Sequence, residues 1–283
     1  MKEDTVSKGY IVLAQNTSET DYVKQAYVLA LSIHATQSET AISIITNDNV
    51  PVEYQDVFDQ IIPIPWVDDS DVASRYAAEH RWKIYHVTPY DETIVLDTDM
   101  LMLEDINDWW WYCQDHDLLF CTNVLNYKGD IIDKSIYRKT FQANGLPSSY
   151  FALHYFKKSE QAEYFYKVLE FVVNNWAWCY GKLAKEHYQD WLSMDLCAAI
   201  ALELCGYNDR ADSCSPLKFV HMKPAVQGWH PIPAFWQNTI PYSFTNSGQL
   251  TVGNIKQPYL FHYVENDFIG IDIINKLKRL ING

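Results

Sequence analysis

Short apolar runs that alternate with segments of helical periodicity are the feature of this sequence that most constrains its fold. Residues 10–14, 42–46, 61–64 and 93–96 form such runs, and residues 22–33 repeat apolar side chains at helical spacing. Strands that alternate with helices predict an α/β fold, in which helices flank a mostly parallel sheet. Ligands of such sheets bind beyond the carboxyl ends of the strands.

The second part of the chain has a different pattern. Residues 117–121 predict a further strand, residues 159–176 predict a helix with one apolar side, and Asp190 is expected to cap a helix that ends near Leu204. Beyond these elements the chain is rich in Pro, Trp and Tyr, and residues 246–248 predict a hairpin turn. This part is therefore expected to be irregular.

The length and the composition fit a chain that buries a full core. Of its 283 residues, 48% are hydrophobic and 20% are charged, and no tract is biased enough to predict disorder. We expect one domain over residues 1–283, with a nucleotide-binding half at about 9–110 and a second half at about 111–283 that completes the site. No run approaches the ~20 apolar residues that span a bilayer, and the first residues lack the apolar segment of a secretory signal. A cytoplasmic location is therefore expected.

The charge balance restricts the partners. Lys and Arg total 22 against 36 Asp and Glu, which gives a net charge of −14 and argues against a broad grip on nucleic-acid backbone. A bound phosphate would need positive charge from another source. The six cysteines contain no C-x-x-C pair, so reduced, buried thiols are expected.

Asp97 and Asp99 carry the most informative chemistry. An apolar strand delivers these two carboxylates, separated only by Thr98, to its carboxyl end. Two anions held so close repel each other, and a divalent cation between them best explains the arrangement. Hard oxygen ligands suit Mg²⁺ or Mn²⁺ bound to a diphosphate. The simpler alternative is that the two aspartates only end a strand, but their place after the fourth strand favours the metal site.

This apolar-Asp-x-Asp-apolar motif, after an alternating α/β start, resembles the metal-dependent GT-A glycosyltransferases, and within them glycosyltransferase family 8, which includes glycogenin and bacterial galactosyl- and glucosyltransferases. The resemblance covers residues 9–110 and implies a Rossmann-like GT-A fold. It also implies transfer of a sugar from a nucleotide-sugar donor, a UDP-sugar, to a glycan or other hydroxyl acceptor, with retention of configuration. Asp97, Thr98 and Asp99 would form the metal and donor motif, with Mn²⁺ or Mg²⁺ as the cofactor.

The resemblance assigns further residues to the donor. The loop after the first strand, Gln15 and Asn16, and Tyr22 at the start of the next helix occupy the place where the family holds the base and the ribose. Arg81 falls where family members carry a basic residue near the donor phosphates, and it would act in catalysis. Asp195, in Ser-Met-Asp at a helix start, looks like the later acidic motif whose carboxylate faces the sugar; a helix cap is the alternative, and Asp190 is a second candidate.

Two histidines compete for the third ligand position on the metal. His262 follows a short apolar run near the C-terminal end, as does the metal-binding histidine of the family. His221 also follows an apolar run, but Lys223 lies two residues away, and a cation is a poor neighbour for a metal ligand. We therefore favour His262. The Lys-Pro-Trp that the family carries after this histidine is absent here, and Lys223 is the candidate that supplies its charge from another loop.

Two other functions remain open from the sequence. A haloacid-dehalogenase-type phosphatase also uses Asp-x-Asp after a strand, although normally on its first strand. A protein of the same fold that binds a sugar or nucleotide without catalysis is the other, because a fold alone does not imply activity.

Overall fold

The computed structural model describes residues 7–66, 78–132, 138–211, 214–230, 232 and 235–283. The strands are β1 (Lys8–Leu13), β2 (Ile42–Ile45), β3 (Gln60–Ile62), β4 (Glu92–Leu96), β5 (Met100–Met102), β6 (Leu118–Cys121), β7 (Asn123–Leu125), β8 (Tyr150–Lys157), β9 (Lys218–His221), β10 (Tyr242–Phe244), β11 (Leu250–Val252), β12 (Ile255–Lys256) and β13 (Leu260–His262). The helices are α1 (Tyr22–Thr36), α2 (Val52–Gln55), α3 (Ile84–Val87), α4 (Asn107–Cys113), α5 (Lys139–Ala143), α6 (Glu160–Asn174), α7 (Trp176–Leu183), α8 (Met194–Cys205), α9 (Pro224–Gln227) and α10 (Ile271–Asn282).

The central sheet has six strands in the order β3-β2-β1-β4-β8-β6. β1 pairs in parallel with β2 and β4, and β2 pairs in parallel with β3. β8 is antiparallel to both of its neighbours, so the other five strands share one direction. The predicted mostly parallel α/β sheet is confirmed.

Both faces of this sheet are buried, as expected for parallel strands between helices. Successive residues of a strand point to opposite faces. Tyr10 and Val12 of β1 accordingly belong to the hydrophobic cluster that contains α1 and α10, whereas Ile11 belongs to the cluster that contains α6 and α8. Helices therefore cover the sheet on both sides and leave the carboxyl ends of the parallel strands for a site.

A second sheet of four strands, in the order β5-β13-β9-β7, lies beyond the end of β4. β5 is antiparallel to β13, with Met100 opposite His262, and β13 runs parallel to β9. This pairing brings a strand near the C-terminal end back to the segment that follows β4. The antiparallel strands β10, β11 and β12 form a third sheet, and the hairpin turn predicted at residues 246–248 connects the first two of them.

The helix boundaries differ from the sequence predictions in three places. The sequence also predicts a helix through Trp82 and Tyr85, and this segment is a 3₁₀ helix, Ala78–Lys83, followed by the short helix α3. The helix predicted over residues 159–176 ends at Asn174, where the side chain of Asn175 donates to the Phe171 carbonyl and competes with the helical hydrogen bond. The third difference concerns the helix that was predicted to start at Asp190.

Asp190 does not cap the helix that was predicted to start there, and that prediction was wrong. α8 begins at Met194, with Ser193 as its N-cap residue, and ends at Cys205, where Gly206 takes the left-handed conformation with φ of 71°. Asp190 is exposed in the loop before it. In the part of the chain that the structure describes, no helix is both long enough and apolar enough to cross a bilayer.

Candidate metal centre and its surroundings

Three predicted metal ligands meet at the carboxyl end of β4. Asp97 and Asp99 follow that strand, and His262 ends β13, which pairs with the strand immediately after Asp99. The backbone N–H of Tyr263 donates to the Asp99 carbonyl at 3.1 Å and fixes this junction. Ligand atoms of Asp97, Asp99 and His262 all lie within 4.8 Å of one another.

The donor set fits a divalent cation. Two carboxylates and one imidazole suit Mn²⁺, which accepts nitrogen as well as oxygen ligands, and the carboxylates alone suit Mg²⁺. His262 Nε2 lies 2.8 Å from Asp99 Oδ2, and His262 Nδ1 is buried without a hydrogen-bond partner among the described residues. Nε2 is therefore the ring nitrogen that faces the carboxylates, and it is the one that would coordinate a cation bound between them.

The charges around the cluster favour the ionised form of Asp99. Burial opposes ionisation of Asp99, but His262 and Arg81 outweigh it and hold the pKa of this carboxyl below its usual value. Arg81 donates to Asp97 Oδ1. Burial lowers the pKa of the Arg81 guanidinium, while Asp195, Asp99 and Tyr22 act in the opposite direction, and an arginine remains charged in this setting. Arg81 thus lies among the predicted metal and sugar residues.

Asp195 lies in the first turn of α8, and its carboxylate makes no cap on that helix. Its Oδ1 accepts from the backbone N–H of Phe151 at 2.7 Å, and its Oδ2 lies 3.3 Å from Arg138 Nη1. The side chain is 22% exposed, and its charge acts on Arg81. The Asp195 carboxylate is therefore close enough to Arg81 to interact with it electrostatically.

Sequence reasoning missed Arg138. Its side chain is only 2% exposed, and it pairs with Asp195. The guanidinium carbon lies 3.2 Å from the centre of the Tyr150 ring. Arg138 belongs to no motif, so nothing in the local sequence distinguishes it from a surface arginine. Only a pattern of apolar residues on both sides of it would have indicated that it is buried.

The predicted base and ribose residues surround the start of α1. Tyr22 is the first residue of this helix, is half-buried, and interacts electrostatically with Arg81. Asn16 Oδ1 accepts from the backbone N–H of Val23, and the Asn16 N–H donates to Asp48 Oδ2 at 2.6 Å. Gln15 is half-buried just before it. The structure thus places Tyr22 beside the metal cluster and uses the Asn16 side chain to hold the loop.

Thr98 points away from the cluster. Its hydroxyl is buried and donates to Gln25 Oε1 at 3.3 Å. Gln25 Nε2 donates in turn to Asn266 Oδ1 at 2.8 Å, and Asn266 Nδ2 donates to Thr20 Oγ1 at 2.6 Å. This chain of hydrogen bonds connects the Asp-x-Asp segment with α1 and with the segment after β13.

His221 and Lys223 lie on the neighbouring strand and loop. His221 is opposite His262 in the parallel pairing of β9 and β13, but it does not belong to the three-residue ligand group found among the described residues. Burial, together with the charges of His262 and Lys223, holds the pKa of His221 well below its usual value. Lys223 is half-buried at the start of α9 and is close enough to act electrostatically on His221.

Comparison with known proteins gives the fold a precedent. No protein-family model matches the chain, and no curated protein sequence matches it. Among solved structures, the galactosyltransferase LgtC, in complex with donor and acceptor sugar analogues, matches with a TM-score of 0.53 and 13% identity over 97% of this chain and 95% of that one. Mouse xyloside xylosyltransferase 1 matches with a TM-score of 0.50 and 9% identity over 94% of this chain and 100% of that one. The predicted GT-A glycosyltransferase fold is therefore confirmed.

The glycosyltransferase GlyE of Streptococcus pneumoniae TIGR4 is a more distant match. Its TM-score is 0.47 at 12% identity, over 98% of this chain. The chain spans 62% of the length of GlyE.

Proposed function

We propose that this protein is a metal-dependent glycosyltransferase that moves a sugar from a UDP-sugar donor to a glycan or other hydroxyl acceptor. The observation that carries this proposal is the convergence of Asp97, Asp99 and His262, whose ligand atoms lie within 4.8 Å of one another although His262 is far from the two aspartates in sequence. They meet at the carboxyl end of a central parallel strand, where α/β sheets receive nucleotides. The fold shared with LgtC, which was solved with donor and acceptor sugar analogues, is consistent with it.

The leaving group of such a reaction is a nucleoside diphosphate, and its developing negative charge must be neutralised. A Mn²⁺ or Mg²⁺ ion held by these three side chains would supply that neutralisation as a Lewis acid. Arg81, which donates to Asp97, contributes a fixed positive charge at the same place. Lys223 is the second candidate, because its charge already acts on His221 beside the cluster. In a chain of net charge −14, these cations make diphosphate binding feasible.

Asp195 is the carboxylate proposed to face the sugar. Glycosyl transfer passes through an oxocarbenium-like transition state, which a carboxylate on the reacting face of the sugar stabilises. The interaction of Asp195 with Arg81 puts this carboxylate beside the phosphate-binding charge, as such a role requires. Asp190, the second candidate, is exposed in the preceding loop. Retention of configuration is part of the proposal and follows from the resemblance to family 8.

The nucleotide would bind beside the loop after β1. Tyr22 offers its ring next to the metal cluster, and Gln15, Asn16 and the main chain of Thr98 would complete the contacts to base, ribose and phosphate. Tyr22 interacts with Arg81, so base-side and phosphate-side residues are neighbours.

The other candidate functions are less consistent with the site. A phosphatase of the haloacid-dehalogenase type would need an aspartate free to act as a nucleophile. The first aspartate of the motif, Asp97, is instead paired with Arg81, which lowers its reactivity. A protein that binds without catalysis would need no carboxylate held in a fixed direction, whereas Asp195 is held by Arg138 and by the backbone N–H of Phe151.

Calorimetric titration with UDP tests the proposal. With Mn²⁺ present, UDP should bind the wild-type protein, and EDTA or the change Asp99→Ala should weaken that binding by at least about 10-fold. Asp115→Ala removes an exposed carboxylate in the turn after α4 and should leave UDP binding unchanged. Equal UDP affinity with and without metal would contradict the assignment of the carboxylates.

A second measurement separates catalysis from binding alone. UDP release from UDP-galactose and UDP-glucose, measured with Mn²⁺ in the absence of acceptor, should be metal-dependent. Binding of UDP·Mn²⁺ with no release from any UDP-sugar, with or without a hydroxyl acceptor, would favour the binding protein. Release of inorganic phosphate from phosphate monoesters would favour the phosphatase.

A further inference from the structure

The guanidinium of Arg138 is buried beside the carboxylate of Asp195. The side chain is 2% exposed. Its guanidinium carbon lies 3.2 Å from the centre of the Tyr150 ring and 4.4 Å from that of Phe141, so aromatic faces cover it. Nη2 donates to the Ser149 carbonyl at 3.0 Å, and Nη1 donates to Asp195 Oδ2 at 3.3 Å. The buried charge is thus paired and directed.

These contacts restrict Asp195 from two directions. Arg138 holds Oδ2, while the backbone N–H of Phe151 donates to Oδ1 at 2.7 Å. The hydroxyl of Ser149 donates to the Asp195 backbone carbonyl at 3.4 Å, so the main chain at the start of α8 is connected to the same segment. Because each carboxylate oxygen has a second lone pair, the 22% of the Asp195 side chain that is exposed can still face a ligand.

We propose that Arg138 is a positioning residue for the sugar-transfer step, which holds the Asp195 carboxylate in a fixed direction for its role at the donor sugar. This inference rests on the proposed glycosyltransferase function. Arg138 is too deeply buried to touch a substrate, so it acts through Asp195. A buried ion pair contributes little net stability compared with apolar residues of the same size. The burial of this arginine is therefore better explained by the direction it imposes on the carboxylate.

A double-mutant cycle tests the inference. Arg138→Met, Asp195→Asn and the double variant are compared with wild type by UDP release from UDP-galactose or UDP-glucose with Mn²⁺, and by calorimetric UDP·Mn²⁺ affinity. Arg138→Met should lower kcat about 100-fold, as expected when a reacting group is misplaced, with KM and UDP affinity within about twofold of wild type. The double variant should be no slower than Asp195→Asn, because both changes act through one carboxylate.

Two further variants serve as controls. Arg138→Lys keeps the charge without the two-pronged geometry, and its kcat should lie between those of wild type and Arg138→Met. Arg210→Met removes an arginine just beyond the opposite end of α8, a helix about 18 Å long, and should leave kcat unchanged.

The outcomes are distinguishable. If the two single losses multiply in the double variant, or if Arg138→Met is fully active, the positioning role is wrong while the glycosyltransferase function stands. If Arg138→Met does not fold, Arg138→Lys decides: a lowered kcat at unchanged KM and UDP affinity supports the role, and a wild-type kcat overturns it. A wild-type protein that releases UDP from no UDP-sugar overturns the proposed function, and the positioning role with it.

Discussion

The imidazole rings of His221 and His262 lie parallel, with 4.3 Å between their centroids and 5° between their planes. The stack follows from the parallel pairing of β9 with β13, which sets the two residues directly opposite each other. Burial, and then the charge of His262, holds the pKa of His221 well below its usual value, so this ring is neutral. His221 therefore fixes the plane of the His262 ring without adding a charge beside the candidate metal ligands.

The stack predicts different effects for the two histidines. His262→Ala should weaken Mn²⁺-supported UDP binding and UDP release by about 10-fold to 100-fold, because it removes one of the three proposed ligands. His221→Phe keeps an aromatic ring against His262 and should stay within a few-fold of wild type. Both are measured by titration with Mn²⁺ at a fixed UDP concentration. A fully active His262→Ala protein beside an inactive His221→Phe protein would reverse the assignment.

Tyr22 should contribute to nucleotide affinity. Tyr22 is the first residue of α1, is half-buried, and interacts electrostatically with Arg81. Tyr22→Ala should weaken UDP·Mn²⁺ binding by about 10-fold, the equivalent of one aromatic stacking contact, and Tyr22→Phe should bind nearly as well as wild type. Calorimetric titration measures both. Tyr164→Ala removes a tyrosine that is 52% exposed on α6 and serves as the control. An unchanged affinity for Tyr22→Ala would place the base elsewhere.

His154 should make the protein less stable in acid. This residue of β8 is fully buried, and burial lowers its pKa from 6.5 to about 3. Between pH 6.5 and about 3, His154 therefore binds a proton in the unfolded chain but not in the folded chain. The stabilising contribution of neutral His154 is complete above pH 6.5 and is lost as the pH falls toward about 3, at a rate of up to ~1.4 kcal/mol per pH unit.

Urea unfolding at pH 7, 6 and 5 measures this dependence. His154→Gln should be less stable at pH 7, because the imidazole ring hydrogen-bonds with both the Phe151 carbonyl and the Tyr166 hydroxyl. The free energy of unfolding of this variant should fall less steeply with decreasing pH, by the contribution of about one proton. His230→Gln, at an exposed position, should keep the wild-type slope. If the pH dependence of the free energy of unfolding is the same in His154→Gln as in wild type, His154 is protonated to the same extent in the folded and the unfolded chain.

Gly9 in β1 should not tolerate a methyl group. A Cβ at this position would lie 2.5 Å from the Tyr90 ring, and that ring is held by hydrogen bonds of its hydroxyl with Ser43 and Asp59. Gly9→Ala should therefore lower the free energy of unfolding by about 1–3 kcal/mol, measured by urea denaturation. Gly181→Ala, in α7 with open space around it, should be neutral or stabilising by about 0.5–1 kcal/mol. Equal stability of the two variants would contradict this account of β1.

The local sequence was sufficient to predict the α/β pattern and the position of Asp97 and Asp99. Periodicity and the type of residue that ends a strand are properties of neighbouring residues along the chain. The strands β1, β2 and β4, and their succession along the chain, could therefore be predicted without knowledge of the fold. The ends of helices were less well predicted. Asp190 has the chemistry of a cap, but α8 begins only at Met194, because tertiary packing decides which turn is the first.

Only the tertiary structure decided how the site is assembled. The choice between His262 and His221 depends on the pairing of β13 with β5 and β9, and such register between distant strands is set by packing that no local pattern encodes. The same holds for Arg138, whose pairing with Asp195 exists only because β8 and α8 meet above a buried aromatic layer. The sequence by itself determined which elements form and which carboxylates end a strand. The long-range packing of those elements determined which side chains from distant parts of the chain lie close to these carboxylates.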